Sequence, residues 1–188
     1  MAEQDRRVRR TRRIIGEAFV ALILEKGYAR VTVQNILDRA DVGRSTFYAH
    51  YRDKESLLTA AFEDLRAELR ADLAAMIPGQ PPRPTSPVGA LFEHAYQRRA
   101  VYRALCGRQG GDIVSQHLRH LVGDVLREHL RPRLAAAGSD LPVDVVAEFY
   151  TSAALGLLTW WVDHDFPHGP GQLARMYQRL AAPGLLQP

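Results

Sequence analysis

The residues from Arg44 to His50 combine groups that suit contact with an anionic surface. Phe47 and Tyr51 are four positions apart, as on the buried face of a helix, so the residues between and beside them would point outward. That outward set contains no carboxylate and comprises Arg44, Thr46, Tyr48, Ala49 and His50. A helix in the major groove of DNA needs donors for base edges, hydroxyls and cations for phosphates, and small residues at close approaches. The pattern therefore predicts a recognition helix.

A second short helix is predicted immediately before it. Apolar residues recur at Val33, Ile36, Leu37 and Ala40, the spacing of one helical face, and Thr32 is a suitable N-cap. Between the two helices, Gly43 is expected to supply a positive φ and Ser45 to cap the second helix. Residues 31–51 therefore predict two helices joined by a tight turn.

The flanking segments complete a pattern that resembles the DNA-binding domain of the TetR family of repressors. The pattern includes Gly27-Tyr28, Thr32, residues 42–51 (VGRSTFYAHY) and residues 53–58 (DKESLL). Its Phe-Tyr-x-His-aromatic run and Lys-Glu-x-Leu-Leu start are absent from generic helix-turn-helix proteins. The resemblance covers residues 10–60 and departs only at Tyr51, where Phe is commoner in the family.

The resemblance implies which positions contact double-stranded DNA, and the chemistry of each side chain suggests its role. Arg44 and Gln34 would read base edges, because a guanidinium can donate two hydrogen bonds to guanine. Phosphates would be held by Thr32, Thr46, Tyr48, His50 and Lys54, and Lys54 would add charge at a helix N-terminus. The full predicted set is Thr32, Gln34, Arg44, Ser45, Thr46, Tyr48, His50 and Lys54.

Composition and charge favour a soluble DNA-binding protein. Residues 1–54 hold 12 Lys and Arg against 7 Asp and Glu, whereas the remaining residues hold 13 against 14. The basic excess is thus confined to the N-terminal part, where Arg6 to Arg13 form an arm that is expected to be flexible and to reach phosphates. The alternative for this arm is a solvated tail.

Cysteine content and apolar runs predict a cytoplasmic protein without a membrane partner. Cys106 is the single cysteine, so neither an internal disulfide nor a CxxC metal site is possible. No apolar leader is expected, and the longest apolar run, residues 153–162, is too short to span a bilayer.

An all-α architecture of about nine helices in two domains is predicted. Residues 1–54 would form the helix-turn-helix domain with its basic arm, and residues 55–188 an effector-binding and dimerisation bundle. A long helix capped by Asp53 would carry an apolar stripe from Leu58 to Met76. Residues 78–87 include five prolines and are predicted to be a surface connector. Pro132, and then residues 138–142 (GSDLP), are expected to close a long later helix and start the next.

The predicted helix over residues 143–163 is apolar around nearly its whole circumference, which a small domain cannot easily bury. Either it is the central core helix or it shares a face with a second copy of the chain in a four-helix homodimer bundle. By resemblance the last two helices dimerise. The expected interface residues are Ala153, Gly156, Leu157, Trp161, Leu173, Met176, Tyr177 and Leu180.

A small-molecule effector site is expected between the C-terminal helices, mainly because of the family resemblance. Large side chains on helices that must pack together are the candidates, and plain core packing is the alternative for each. The candidate lining residues are Phe92, Tyr96, Tyr102, Leu118, Val122, Phe149, Tyr150 and Trp160.

No cofactor, metal or catalytic residue is predicted. His117 with His120, and the cluster from Asp163 to His168, lack the three convergent ligands of a catalytic zinc site, and Cys106 is expected to be a buried thiol. The resulting interpretation is a homodimeric regulator, most simply a repressor, that binds a pseudo-palindromic operator and is released by an effector. An activator remains open, and the rival class is a helical enzyme or metal-binding protein whose basic arm is incidental.

Overall fold

The computed structural model describes residues 2–74, 86–106 and 111–181. Within these ranges it contains nine α-helices and one 3-10 turn, which confirms the predicted all-α fold. The helices are α1 (Ala2–Lys26), α2 (Val33–Ala40), α3 (Arg44–Tyr48), α4 (Lys54–Ala74), α5 (Pro87–Gln97), α6 (Arg99–Cys106), α7 (Gly111–Ala136), α8 (Val143–Asp163) and α9 (Pro170–Ala181), and the turn is Tyr28–Arg30.

The first helix is longer than expected and includes the basic arm. α1 begins at Ala2, so the expectation that the arm is flexible is wrong: its arginines lie along a helix. The C-terminal half buries Ile15, Phe19 and Leu22 in the core. Gly27 then ends α1 with φ of 80° and its N–H donates to the Ile23 carbonyl at 2.8 Å, as a glycine C-cap does.

The helix-turn-helix turn uses different residues from those predicted. The Thr32 hydroxyl accepts from Asn35 N at 3.2 Å while Asn35 Oδ1 accepts from Thr32 N at 3.1 Å, a reciprocal capping box at the start of α2. The positive φ belongs to Asp41, at 51°, whereas Gly43 has φ of −70°. Gly43 is also the N-cap of α3, without a side-chain cap, so the Ser45 capping prediction is wrong.

α4 is tied to helices on several sides. Its N-terminus is closed by Asp53, whose Oδ1 accepts from Ser56 N at 2.7 Å. Buried side chains from Leu57 to Leu69 follow along one face, while Met76 lies outside the described residues. Asp64 faces Arg12 of α1 at 3.7 Å, and Arg66 donates to Asp124 of α7 at 3.1 Å.

The C-terminal bundle is centred on Trp161 of α8, which is fully buried. Its ring stacks on Tyr96 at 5.8 Å between centroids and meets the edges of Phe92 and Phe166 at 5.9 and 4.8 Å. The indole Nε1 donates to the His168 carbonyl at 3.0 Å. The apolar body and the polar atom of this side chain are therefore both satisfied.

Two prolines lie inside helices rather than outside them. α7 continues through Pro132 to Ala136, so Pro132 lies inside the helix, and the helix ends just before Gly138, which has φ of 61° and opens the predicted closing segment. Pro87 is the first residue of α5, where its missing N–H costs nothing, and Ser86 caps that helix by accepting from Gly89 N at 3.1 Å. The rest of the predicted proline-rich connector, residues 78–85, lies outside the described residues.

α8 is long and apolar enough to cross a membrane by length and composition, the one such helix among the described residues. The apolar run at residues 153–162, which by itself is too short to span a bilayer, is only part of α8. The helix includes eleven further residues, so the run underestimates its length. One face of α8 packs on α7 and α6, and the helix also carries the exposed carboxylates of Asp144 and Glu148. This feature does not indicate a membrane protein.

Replacing Trp161 by alanine is expected to lower the free energy of unfolding by about 3–5 kcal/mol, because it leaves a large cavity among aromatic rings. Urea denaturation of the full chain would measure this. The control is Leu141→Ala, in the loop before α8, where the side chain is 58% exposed and a loss of about 1 kcal/mol or less is expected. Equal losses for the two variants would contradict the placement of Trp161.

Candidate nucleic-acid interface and ligand site

The predicted recognition helix has one buried and one exposed face. Phe47 is fully buried and Tyr51 nearly so, and the rings lie 5.7 Å apart. On the other side, Arg44 is exposed and Tyr48 has 54% of its side chain exposed. Ser45 is exposed as well, and Thr46 and His50 are half-buried. The structure therefore gathers the predicted residues of this helix at one surface, although not all are equally accessible.

Arg44 and Gln34 are joined across the two helices of the motif. Arg44 Nη2 donates to Gln34 Oε1 at 2.7 Å, and Gln34 Nε2 donates to Asp38 Oδ1, also at 2.7 Å. A guanidinium has five N–H donors, so this bond leaves others for a base or a phosphate. Sequence reasoning missed Asp38, although its position four residues after Gln34 on the same helix face was a usable signal.

Thr32 keeps hydrogen-bonding capacity in spite of its capping role. Its oxygen accepts from Asn35 N, but the hydroxyl proton is not used in that bond. The residue is exposed at the N-terminus of α2. Such a hydroxyl, next to the first N–H groups of a helix, suits a phosphate oxygen.

Lys54 has an environment that the sequence did not reveal. Its ammonium donates to the carbonyls of Tyr28 at 3.2 Å and Val31 at 3.1 Å, and it lies 4.5 Å from the centroid of the Tyr28 ring. The Tyr28 hydroxyl in turn donates to Glu55 at 3.4 Å. Lys54 thus ties the first residue of α4 to the turn between α1 and α2. Its contact with phosphate stays a prediction.

The basic residues of α1 divide into engaged and outward-facing side chains. A side-chain hydrogen bond with Tyr51 raises the pKa of the Arg12 guanidinium, and the charge of Asp64 raises it further. Arg13 pairs with Glu17 one turn later at 2.7 Å. Arg6 and Arg10 are exposed on the earlier turns. Arg12 therefore supports the protein structure, and the earlier arginines remain the candidates for phosphates.

The eight predicted effector-pocket residues are not brought together around one cavity. Phe92, Tyr102, Leu118 and Val122 are buried in the core, and Tyr96 stacks on Trp161. Phe149 and Trp160 are instead 60% and 40% exposed. Only Tyr150 of the eight lines a cavity of about 260 Å³ at the junction of α5, α7, α8 and α9. Its apolar wall is formed by Val88, Leu126, Leu130, Tyr150, Tyr177 and Ala181.

The eight predicted interface residues also separate into two groups. Trp161, Leu173 and Tyr177 are buried within the single chain, so they offer no surface to a second copy. Leu180 and Gly156 are exposed, and Ala153, Leu157 and Met176 are half-buried. The predicted interface on α8 and α9 therefore depends on the exposed and half-buried residues alone.

The histidine and cysteine side chains considered as metal ligands or nucleophiles lie in surroundings that suit a structural role. In the part of the chain that the structure describes, no group of three His, Cys, Asp or Glu side chains could hold a metal ion. His117 stacks on Phe62 at 5.3 Å between ring centroids. Burial raises the pKa of Cys106 to about 12, with Asp163 adding to it, so the thiol is neutral and a poor nucleophile at neutral pH.

Comparison with known proteins identifies the family. Residues 15–61 match the family model of bacterial regulatory proteins of the tetR family, and residues 85–182 match that of a transcriptional regulator C-terminal region. The second match alone covers more than half of the chain. The chain belongs to the TetR family. This family consists of transcriptional regulators, not enzymes.

One curated relative matches this chain over most of its length. This relative is the uncharacterized HTH-type transcriptional regulator YxbF of Bacillus subtilis (strain 168), which is 28% identical over 179 residues, covering 92% of this chain and 45% of that protein. The chain thus spans about half or less of the length of the curated relatives it matches.

Solved structures of TetR-type regulators share the fold over nearly the whole chain. A TetR transcriptional regulator from Streptococcus agalactiae 2603V is 27% identical with a TM-score of 0.66, and the match covers 95% of this chain and 97% of that one. The regulator FadR from Bacillus subtilis, in complex with stearoyl-CoA, has a TM-score of 0.71 at 18% identity and covers 92% and 98% of the two chains. The latter likeness shows the fold alone.

Lys54→Met removes the ammonium and keeps most of the aliphatic stem. We expect it to lower the free energy of unfolding by about 1–3 kcal/mol, because the carbonyls of the 3-10 turn lose a charged donor. Thermal or urea unfolding would measure the loss. Arg52→Met, at an exposed neighbouring position, is the control and should change stability by less than about 0.5 kcal/mol. Unchanged stability of the Lys54 variant would show that the ammonium is not held at the turn.

Proposed function

We propose that this chain is a cytoplasmic transcriptional regulator, most simply a repressor, that binds a pseudo-palindromic DNA operator as a homodimer and is released by a small-molecule effector. The observation that carries the proposal is the exposed face of α3 on a helix anchored by Phe47 and Tyr51, in a TetR-family chain. Repression, dimerisation and ligand response are typical of that family. No feature of the described residues favours the rival enzyme or metal-binding class.

Arg44 is the residue to which we assign sequence specificity. It is exposed at the first position of α3, and base contacts in such motifs come from the N-terminal part of the recognition helix. Its bond to Gln34 restricts the guanidinium before DNA arrives, which reduces the entropy lost on binding. The phosphate contacts are assigned to Thr32, Thr46, Tyr48, His50 and Lys54, as the sequence predicts.

The dimer is proposed to form on the outer face of α8 and α9. Val145 and Phe149 are 61% and 60% exposed, and Leu180 on α9 is 64% exposed. Gly156 and Trp160 continue the α8 face at helical spacing, and the glycine allows close approach of a second helix. Exposed apolar side chains in this number on one face are typical of a protein interface.

Release by an effector requires that the C-terminal bundle and the DNA-binding helices move together. α4 is the element that supports this, because it pairs with α7 through Arg66 and Asp124 and with α5 through Glu68 and Arg98 at 3.0 Å. At its other end, Lys54 holds the turn before α2. A ligand that binds one arrangement of the bundle better than another would shift α4 and the spacing of the two recognition helices.

Arg44→Ala is expected to weaken operator binding by about 1–3 kcal/mol through one base pair, with a smaller effect on random DNA. The operator would first be obtained by selection from random duplexes with the wild-type chain, and salt-dependent mobility shifts would then compare the two proteins. Arg39→Ala is the control, since Arg39 is paired with Glu25 of α1. An equal loss on operator and random DNA would refute the base-reading role of Arg44.

Phe149→Asp is expected to convert the dimer into monomers, because the charge would have to be buried without a partner. Analytical ultracentrifugation would measure the change in mass, and circular dichroism would verify that the helices persist. Ile113→Asp is the matched control, because it puts the same charge at an apolar position of α7 that is 49% exposed and lies outside the proposed interface. A wild-type chain that is monomeric at all concentrations would overturn the dimer proposal.

A further inference from the structure

The cavity between α5, α7, α8 and α9 has polar groups along one side, and in this it differs from an ordinary packing defect in an apolar core. Its apolar wall includes Leu126, Tyr150 and Tyr177, and its volume is about 260 Å³. Apolar walls with a few placed polar groups are the usual composition of a small-molecule site. Here the polar side is formed by His129 and Arg133 of α7 and by Gln178 of α9.

His129 has an unsatisfied hydrogen-bonding atom. Its Nε2 is buried and has no hydrogen-bond partner among the described residues. Buried polar atoms in native proteins are nearly always paired, so an unpaired one that lines a cavity indicates a missing partner. Burial lowers the pKa of His129, and the charge of Arg133 lowers it further, so the ring is predominantly neutral at neutral pH.

Arg133 is exposed to solvent, lines the cavity and lies one helical turn after His129 on the same face of α7. No acidic side chain pairs with it in residues 2–74, 86–106 and 111–181, whereas Arg119 and Arg127 of the same helix are both paired. No Asp or Glu lines the cavity either. The polar side of the cavity therefore has a positive charge and a neutral ring nitrogen, without a compensating anion.

We propose that this cavity is the effector site and that it binds a small amphipathic carboxylate, with the head group at Arg133 and His129 and the apolar body against Leu126, Tyr150 and Tyr177. One guanidinium and one neutral imidazole suit a monoanion, whereas a phosphate dianion would require more positive charge. The proposal rests on the effector-controlled regulator proposed above and assigns the chemical class of the effector.

The position of the cavity gives the carboxylate a direct effect on α4. Glu128, the residue before His129, pairs with Arg70 of α4. A ligand that pulls the His129 turn of α7 toward its head group would therefore change an ion pair on α4. The Tyr177 hydroxyl donates to the Tyr150 carbonyl at 3.0 Å, so the opposite wall is held in place.

The test uses three probes that share one apolar body: phenylbutyrate, phenylbutanamide and phenylbutylamine. Isothermal titration calorimetry with the full chain is expected to show phenylbutyrate binding about tenfold more tightly than the amide, as a charge-assisted contact would give, and the amine not binding. Arg133→Gln should reduce the preference for the acid over the amide to about twofold or less, while the exposed Arg131→Gln control keeps it.

A cavity-filling variant separates this site from others. Ala181→Trp, at the end of α9, should abolish binding of the acid and the amide, with thermal unfolding verifying that the variant is folded. Equal affinity for the acid and the amide, an unchanged preference in Arg133→Gln, or undiminished binding in Ala181→Trp would each overturn the proposal.

Operator binding, measured separately on the same wild-type protein, distinguishes the two proposals. A chain that retains the acid preference but shows no specific DNA binding would refute the regulator and leave the carboxylate site standing. A chain that binds its operator but shows no head-group preference would refute the site alone.

Discussion

The burial of Phe47 is the constraint on which the proposed DNA contacts depend. α3 is only five residues long, too short for its own hydrogen bonds to stabilise it, so tertiary packing must hold its orientation. Phe47 packs against Tyr51, and Arg12 of α1 in turn hydrogen-bonds Tyr51. Because this anchor fixes the rotation of the helix, it determines that Arg44 and Tyr48 face away from the protein. Loss of the anchor would leave the same side chains without a common surface.

α4 transmits that constraint to the rest of the molecule. At its N-terminus, Lys54 and Asp53 close the turn beneath α2, and further along its charged residues pair with α1, α5 and α7. Exposed ion pairs of this kind contribute little to stability individually. Their value here is geometric, because together they hold α4 against helices on several sides.

Apolar periodicity was sufficient to predict the helices, whereas polar environments were not. The spacing of Ile36, Leu37 and Phe47 correctly indicated which helix faces are buried, because buried side chains recur with the period of the helix. The positive φ at Asp41 instead of Gly43, and the carbonyl contacts of Lys54, depend on three-dimensional neighbours that spacing does not encode. For the same reason large size alone did not separate the buried Trp161 from the exposed Trp160, although they are adjacent in the chain.

The chain of hydrogen bonds from Arg44 through Gln34 to Asp38 restricts the orientation in which the glutamine amide could meet a base. A glutamine that reads adenine directly must offer its oxygen to N6 and its amide nitrogen to N7 at the same time. In this protein the oxygen already accepts from a guanidinium and the nitrogen already donates to a carboxylate. The oxygen keeps a second lone pair and the nitrogen a second N–H, so while those bonds persist Gln34 orients its cationic neighbour without losing all of its own hydrogen-bonding capacity.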